Sequence, residues 1–319
     1  MTNTGLRRKQ ISQGRGQAHG KVILLGEHAV VYGYPAVSVP LLSAVVQVQV
    51  TQTDGKDLLS CAYYRGKLTD APMAVMGYKR LIEKTRETLP LISEGLTISV
   101  SSTIPPGYGL GSSAAVAVAI VRGLYDFCRH RLTHEQLLKL VHIAETYAHG
   151  NPSGVDAWTT STNRPLWFIH DREPIWLSLR RPLYLVVAGS RAPGNTHDAV
   201  QHVQDTLARR VYLHPMEQLA KLTEDARWAL IQGDYRRLGL LMTAAQYHLE
   251  RLGITTDHID ALIAVALASG ALGAKLTGSG DGGSIIALVA DRDDQGRLAA
   301  ALTRAGAVQV WTPVLGEDT

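Results

Sequence analysis

The stretch PPGYGLGSSAAVAV, residues 105–118, constrains the fold of this chain more than any other segment. Glycine stands at every second position from Gly107 to Gly111, and two serines and a run of small apolar residues follow. Glycine loses more conformational freedom on folding than any other residue, so this spacing needs a reason. A tight turn, a close contact between two backbones, and a ligand that approaches the backbone are the three explanations that the pattern allows.

The segments on either side of these glycines favour the third explanation. LTISVSSTI, residues 96–104, alternates like a β-strand, and a helix is predicted from about Ser112 to Phe127. A helix start carries free N–H groups and a partial positive charge, which together bind anions. The pattern therefore predicts a phosphate-binding loop. An ordinary turn capped by serine would account for one glycine only, and the spacing differs from both the dinucleotide fingerprint and the Walker A loop.

A second glycine-rich segment, LTGSGDGGS at residues 276–284, precedes a predicted buried strand. Alone it is weak support for a ligand site, because glycines also form bulges and tight turns. Two such loops with serines in one chain strengthen the prediction of a phosphate site.

The order of predicted elements indicates an α+β fold. The segments 21–26, 36–53 and 183–189 read as strands, whereas residues 197–270 have a mostly helical pattern. Thr133 and Gln136 have the spacing of a capping box, which predicts a helix that Gly150 ends. We expect a basic mobile tail over residues 1–16, an N-terminal domain over 17–180 and a C-terminal domain over 181–319.

Composition excludes several classes of protein. The 319 residues include two cysteines, so a disulfide framework is not expected and a cytoplasmic location is predicted. No apolar run is long enough to span a bilayer, and no secretory signal begins the sequence. The net charge of +4 and the aromatic content of 6% do not indicate a nucleic-acid surface. A small anionic ligand fits this charge better.

The segment HIAETYAHGNPSGVDA, residues 142–157, has the densest polar chemistry. Glu145 lies in the last helical turn, where a carboxylate faces the wrong end of the helix dipole and a divalent cation would stabilise it. Asp156 follows a Pro-Ser-Gly turn and is a candidate catalytic acid or base, or else a helix cap. Lys21, on the first strand, is either an exposed lysine or the cation that keeps Asp156 ionised. His142, Glu145 and His149 share one helical face, which leaves a zinc site as an alternative to a solvated face.

Four blocks of the sequence resemble motifs of the galactokinase, homoserine kinase, mevalonate kinase and phosphomevalonate kinase superfamily. They are KVILLGEHAVVYGYPAV at 21–37, PPGYGLGSSAA at 105–115, HGNPSGVD at 149–156 and KLTGSGDGGS at 275–284. The third block is similar to mevalonate kinases rather than to the superfamily at large. The resemblance implies a two-domain small-molecule kinase fold, with ATP and substrate in the cleft between the domains.

The resemblance also implies roles for particular residues. Asp156 would be the base that faces the substrate hydroxyl, with Lys21 beside it, and Ser113 and Glu145 would hold Mg²⁺. The residues expected around the ATP phosphates are Pro106, Gly107, Gly109, Leu110, Gly111, Ser112, Ser113 and Ala114. Those expected to contact the substrate are Lys21, Glu27, His28, Ser153, Asp156, Thr196, Gly278 and Gly280.

The function implied by the resemblance is ATP- and Mg²⁺-dependent phosphorylation of the 5-hydroxyl of mevalonate, a step of isoprenoid precursor synthesis, by a homodimer. Another alcohol kinase of the superfamily, acting on phosphomevalonate or homoserine, is the alternative within the same fold. A non-catalytic sensor that binds ATP and a ligand is the alternative from another class. Such a sensor could lose Asp156, Glu145 or Lys21 freely, yet all three are present.

Three positions depart from the family pattern. Asp281 stands where the family has glycine, and its carboxylate would repel phosphates unless it is turned away. Ala157 stands where mevalonate kinases have asparagine, and TSTNRPLWF at 160–168 replaces a Gly-Gly pair. These departures leave the acceptor specificity open.

Overall fold

Two β-sheets, one from each half of the chain, organise the fold. The structure is a computed structural model that describes residues 13–90, 95–150, 152–192 and 213–316, together with Gly194, Ala199 and Val203. The strands are β1 (Gln13–Leu25), β2 (Ala36–Thr53), β3 (Leu58–Cys61), β4 (Tyr64–Lys67), β5 (Gly95–Ser102), β6 (Leu166–Phe168), β7 (Ile175–Trp176), β8 (Leu183–Gly189), β9 (Gly273–Thr277), β10 (Ser284–Val289), β11 (Gln309–Trp311) and β12 (Val314–Leu315). The helices are α1 (Met76–Thr88), α2 (Ser112–Phe127), α3 (His134–His149), α4 (Val155–Thr160), α5 (Leu213–Gln232), α6 (Tyr235–Glu250), α7 (Asp257–Ala268) and α8 (Arg292–Arg304).

The first sheet has seven strands in the order β4-β3-β5-β2-β6-β7, with β1 also paired to β2. The long strand β2 runs antiparallel to β1, from the pair Gln13↔Thr51 to the pair Leu25↔Val37. Its second half pairs with β5 and its first residues pair with β6. Strand β2 is rich in β-branched residues and residues 21–25 of β1 are mostly apolar, so these segments form the strands that the sequence predicts.

Helix α2 lies directly against β1. A Cβ added at Gly16 would lie 1.9 Å from the carbonyl oxygen of Ala119, and one at Gly14 would lie 2.3 Å from that of Gly123. Only glycine permits this approach of strand to helix. The predicted tail over residues 1–16 is therefore wrong for Gln13–Gly16, which belong to β1, while residues 1–12 lie outside the described chain.

Helix α3 begins and ends as its sequence predicts. Thr133 accepts a hydrogen bond from the backbone of Gln136, the Gln136 side chain accepts one from the backbone of Thr133, and Gly150 follows the last turn. This reciprocal pair is the capping box, which satisfies two backbone donors that the helix leaves free. Helix α3 thereby places Glu145 in its C-terminal part and ends shortly before the turn that leads to Asp156.

The second sheet is antiparallel and has the order β11-β8-β10-β9, with β12 also paired to β8. The chain changes sheets between Trp176 and Leu183, at the place where the sequence predicts a domain boundary. Strand β9 of the second sheet contacts β1 of the first. The Thr277 hydroxyl accepts a hydrogen bond from the N–H of Ile23 and donates one to the carbonyl of Ile23, both at 3.0 Å. None of the helices described here is long and apolar enough to cross a membrane.

Candidate active site

The first glycine loop lies between the two sheets and leads into α2. Gly107, Gly109 and Gly111 all have positive φ, of 80°, 70° and 72°. A Cβ at Gly109 would lie 2.8 Å from the Cα of Gly278, and one at Gly111 would lie 2.8 Å from the Cγ of Lys21. Two of the three glycines are thus required by contacts within the protein. Close contacts within the protein therefore explain part of the glycine spacing, in addition to the predicted ligand.

Residues from both halves of the chain anchor this loop. The N–H of Lys21 donates to the carbonyl of Leu110 at 2.9 Å, and the Ser284 hydroxyl donates to the carbonyl of Tyr108 at 2.9 Å. The N–H of Gly194 donates to the carbonyl of Gly107 at 2.7 Å. Hydrogen bonds within the protein therefore anchor the loop at Gly107, Tyr108 and Leu110.

A cavity of about 440 Å³ opens beside the loop. It is large enough for a small-molecule ligand. The sequence-predicted residues that line it are Lys21, His28, Pro106, Gly107, Gly109, Leu110, Gly111, Ser112, Ser113, Glu145, Ser153, Asp156 and Gly278.

Four predicted site residues are not among those that line the cavity. Ala114 is fully buried in α2, Glu27 is 1% exposed beneath the cavity wall, and a Cβ at Gly280 would lie 2.2 Å from the carbonyl oxygen of Ile254. These three residues therefore do not face the cavity, and a ligand bound in it would not contact them directly. Thr196 lies outside the described residues.

Lys21 and Asp156 form an ion pair at the cavity wall. The Nζ of Lys21 lies 3.0 Å from Oδ1 of Asp156, and the two side chains are 4% and 30% exposed. Asp156 is in the first turn of α4, whose N-cap Gly154 has a φ of 88°. This left-handed residue turns the chain sharply into α4. The Asp156 carboxylate thereby contacts Lys21 and lines the cavity.

Ser113 and Glu145 bring a hydroxyl and a carboxylate together on the same side of the cavity. The Ser113 hydroxyl donates to Oε1 of Glu145 at 2.7 Å. Burial and, to a smaller extent, the negative charge of Asp156 raise the pKa of Glu145 to about 7, against the opposing effects of the Ser113 hydrogen bond and Lys21. Oxygen ligands of this kind suit Mg²⁺, and a cation would relieve the repulsion between the two carboxylates. The residues present therefore fit such an ion.

The alternative of a zinc site on α3 is not supported. His142 is exposed, whereas Glu145 is buried and His149 Nε2 lies 3.9 Å from Oε2 of Glu145. Within the described ranges, no group of three or more histidine, cysteine, aspartate and glutamate side chains could hold a metal ion.

A buried ion pair lies behind the cavity wall. Lys275 on β9 contacts Oε1 of Glu27, and the side chains are 0% and 1% exposed. Burial raises the pKa of Glu27 and lowers the pKa of Lys275, while each partner favours the charged form of the other. Glu27 is therefore held by the C-terminal half of the chain, which its sequence context did not predict.

His28, the next residue, does line the cavity. Its Nε2–H donates to the carbonyl of Ser279 at 2.8 Å. Burial lowers the pKa of His28 to about 4, so the ring is neutral near pH 7. With Nε2 protonated, Nδ1 of the neutral ring is a hydrogen-bond acceptor.

The three departures from the family pattern do not reach the cavity. Asp281 is exposed at a φ of 53°, and its N–H donates to the carbonyl of Ile254 at 2.8 Å. Ala157 is buried at 6% exposure, and Leu166–Phe168 form strand β6. Asp281 is thus exposed and does not line the cavity.

Sequence analysis missed the part of the cavity beyond the phosphate loop. It is lined by Tyr63 between β3 and β4, Ala74 just before α1, and Tyr78 in the first turn of α1. No motif marks these residues, and only their apolar or aromatic character on an otherwise polar segment could have indicated them. Lys275 was visible inside the block KLTGSGDGGS, but nothing in the sequence pairs it with Glu27.

Comparisons with known families and structures identify the fold. Residues 73–162 match the family described as GHMP kinases N terminal domain, and residues 226–308 match GHMP kinases C terminal. The mevalonate kinase of Thermococcus gammatolerans is 32% identical over 324 residues, which cover 94% of this chain and 96% of that protein.

Solved structures of mevalonate kinases are also similar to this chain. Mevalonate kinase from Staphylococcus aureus is 32% identical with a TM-score of 0.73, over 96% of this chain and 100% of that one. L. major mevalonate kinase, solved in complex with R-mevalonate, is 25% identical with a TM-score of 0.82, over 95% of this chain and 96% of that one.

The chain belongs to the GHMP kinase family, a class of small-molecule kinases. Within that family it groups with the mevalonate kinases. The predicted resemblance and the predicted α+β kinase fold are confirmed.

Proposed function

We propose that this protein transfers the γ-phosphoryl group of ATP to the 5-hydroxyl of mevalonate and releases 5-phosphomevalonate and ADP. The observation that carries the proposal is the convergence of the glycine loop, the Lys21–Asp156 pair and the Ser113–Glu145 pair on one cavity. The relatives of similar length are mevalonate kinases, and the acceptor is inferred from them.

The glycine loop and the start of α2 bind the phosphates of ATP in this proposal. Gly111 is the N-cap of α2, and the Ser112 and Ser113 that follow are the first helical residues. Free backbone N–H groups at a helix start bind anionic oxygens, and the loop is already held in shape by its hydrogen bonds. Tyr63 and Tyr78 also line the cavity, and their aromatic faces suit the nucleoside.

Ser113 and Glu145 are the residues that would hold Mg²⁺. When bound, the ion neutralises charge that builds up on the phosphate oxygens during transfer. The protein contributes a hydroxyl and a buried carboxylate that already contact each other, so little rearrangement is needed to present both oxygens.

Asp156 accepts the proton of the attacking hydroxyl. Phosphoryl transfer passes through a loose transition state, so positioning and charge neutralisation contribute more than covalent chemistry. Lys21 forms an ion pair with the Asp156 carboxylate and, from the same side, adds positive charge near the transferred group. The oxygen–phosphorus bond forms as the bond to ADP breaks, and the proton goes to the Asp156 carboxylate.

The charge of the cavity favours an acceptor without a phosphate group. Among the described lining residues, the basic side chains are Lys21, His28 and His149. Lys21 is paired with Asp156, His28 is neutral, and His149 lies beside Glu145. Phosphomevalonate would bring a second anionic group, for which these residues offer no additional cation. Mevalonate is therefore preferred over phosphomevalonate as the acceptor.

The test is ADP release by purified protein with ATP and Mg²⁺, with mevalonate, phosphomevalonate and homoserine offered separately. We expect release with mevalonate alone. Release only with another acceptor would keep the kinase and overturn the acceptor. ATP binding without release with any acceptor would favour the non-catalytic sensor. Assembly as a homodimer and a cytoplasmic location remain predictions.

A further inference from the structure

Three contacts join the C-terminal half of the chain to the first strand and the turn after it. Lys275 and Thr277 on β9 contact Glu27 and Ile23, and Ser279, in the glycine-rich loop that follows β9, contacts His28 through its backbone carbonyl. Lys275 and Thr277 are two residues apart, so their side chains lie on the same face of the strand. The three contacts therefore form one seam, which we call the β9 seam.

The ion pair in this seam is not explained by stability alone. Lys275 and Glu27 are both fully buried, and Oε2 of Glu27 has no hydrogen-bond partner in the described chain. Desolvating two charges offsets their attraction, and apolar residues of similar volume are often at least as stabilising. A buried ion pair with one carboxylate oxygen left without a hydrogen bond indicates that the pair positions the neighbouring backbone rather than stabilises the fold.

The backbone beside Glu27 needs such a support. His28 has a φ of 57° and a ψ of −46°, which a residue with a side chain rarely adopts. Gly26 has a φ of 101°, and a Cβ there would lie 2.4 Å from the carbonyl oxygen of Pro35. Unfavourable backbone of this kind persists only where the surroundings determine it, and it is concentrated at functional sites.

We infer that Glu27 and Lys275 are positioning residues, which hold the Gly26–His28 turn so that the His28 imidazole faces the acceptor. Lys275 fixes the turn through Glu27, and the carbonyl of Ser279 fixes the ring and its protonated nitrogen. Glu27 itself does not touch the substrate. This inference replaces the predicted substrate contact of Glu27, and it depends on the proposed function for the identity of the acceptor.

Variants of the pair separate positioning from stability. Glu27→Gln and Lys275→Met each leave one buried charge without its partner, so both lower the urea midpoint of unfolding. The double variant removes both charges, and its midpoint recovers toward that of the wild type. We expect KM for mevalonate to rise about tenfold in the singles and in the double, because the turn is no longer held. KM for ATP should stay within about twofold, since the glycine loop is unchanged.

Thr277→Val is the matched control in the same seam. It removes both hydrogen bonds to Ile23 and lowers stability, but it leaves the ion pair and the turn intact. KM for mevalonate should not change. Recovery of KM in the double variant together with its stability, or an equal rise of KM in Thr277→Val, would overturn the positioning role.

Hydrogen exchange tests the same inference without substrate turnover. In the Glu27→Gln/Lys275→Met variant, a peptide that covers residues 26–32 should exchange faster than in the wild type, while one that covers β10 should not. Equal exchange in the turn overturns the inference even if mevalonate is phosphorylated. If the wild type does not act on mevalonate, the proposed function fails while the exchange result still decides the inference.

Discussion

The Nζ of Lys21 lies 3.0 Å from Oδ1 of Asp156, and this ion pair joins strand β1 to the first turn of α4. The methylene stem of the same lysine fills the space that a side chain at Gly111 would need. Three sequence blocks that are far apart in the chain thus meet at one side chain. Both side chains line the cavity, and Lys21 is buried while Asp156 is partly exposed.

Asp156→Ala should abolish turnover and leave ATP binding nearly intact. Removing a general base lowers kcat by about 10²–10⁴-fold. The glycine loop does not depend on Asp156 for any described hydrogen bond, so the affinity for ATP should change by less than about twofold. Steady-state kinetics and titration with a non-hydrolysable ATP analogue measure the two effects. Wild-type turnover in this variant would show that Asp156 is not the base.

Ser113→Ala should raise the Mg²⁺ concentration needed for half-maximal rate by about tenfold. The substitution removes a proposed ligand, which also holds Oε1 of Glu145 in place. Ser112→Ala is the matched control, because Ser112 is the preceding residue and lines the same cavity. Its Mg²⁺ dependence should stay close to that of the wild type. An equal shift in both variants would indicate a general effect on the start of α2.

Gly109→Ala should destabilise the protein by about 2–5 kcal/mol and weaken ATP binding. Alanine would have to adopt the positive φ of Gly109, which is unfavourable for a residue with a side chain. Its Cβ would also lie 2.8 Å from the Cα of Gly278. Gly33→Ala separates the two causes, because Gly33 has a φ of 81° but no atom within 4 Å of the added Cβ. That control should lose only about 1–2 kcal/mol. Urea unfolding of both variants tests the difference, and equal losses would mean that contact with Gly278 contributes nothing.

Local patterns in the sequence predicted the elements and the phosphate loop. The capping box of Thr133 and Gln136 defined α3, the alternation in residues 96–104 defined β5, and apolar, β-branched segments defined β2 and residues 21–25 of β1. These signals act over a few residues, so one sequence is sufficient to detect them. The short strands β11 and β12 carry no such pattern and were not predicted.

Contacts between distant segments could not be predicted. Gly109 and Gly278 touch because two loops from different halves of the chain pack together, and Lys275 meets Glu27 for the same reason. No local sequence pattern around either residue of such a pair predicts which residue it will contact. Gly14 and Gly16 show the same limit, since they appeared to belong to a polar tail until α2 was seen against them.

The stability of the protein should fall between pH 6.5 and pH 4 because of His28. Burial lowers the pKa of His28 from its ordinary value of 6.5 to about 4. Between these values the unfolded chain binds a proton that the folded protein does not, so stability is lost as the pH falls. The full difference corresponds to about 3 kcal/mol, and below pH 4 this residue causes no further loss.

His28→Gln is the control for this pH effect. Glutamine keeps an N–H donor for the carbonyl of Ser279 but does not titrate. Urea unfolding at pH 7 and at pH 4.5 should therefore show a smaller loss in the variant than in the wild type. Parallel losses would mean that His28 does not stay neutral in the folded protein.

Asp281→Gly should leave the kinetics unchanged and raise stability by up to about 1 kcal/mol. Asp281 has a φ of 53°, a conformation that glycine adopts at lower cost, although the more flexible unfolded chain offsets part of the gain. Its carboxylate is exposed and away from the cavity, so its charge should not affect KM for ATP. Asp281→Ala removes the same charge but keeps a Cβ at the unfavourable φ, so it should give no gain in stability. If both variants lowered KM for ATP, the carboxylate would be acting on the phosphates after all, and the departure from the family pattern would be functional.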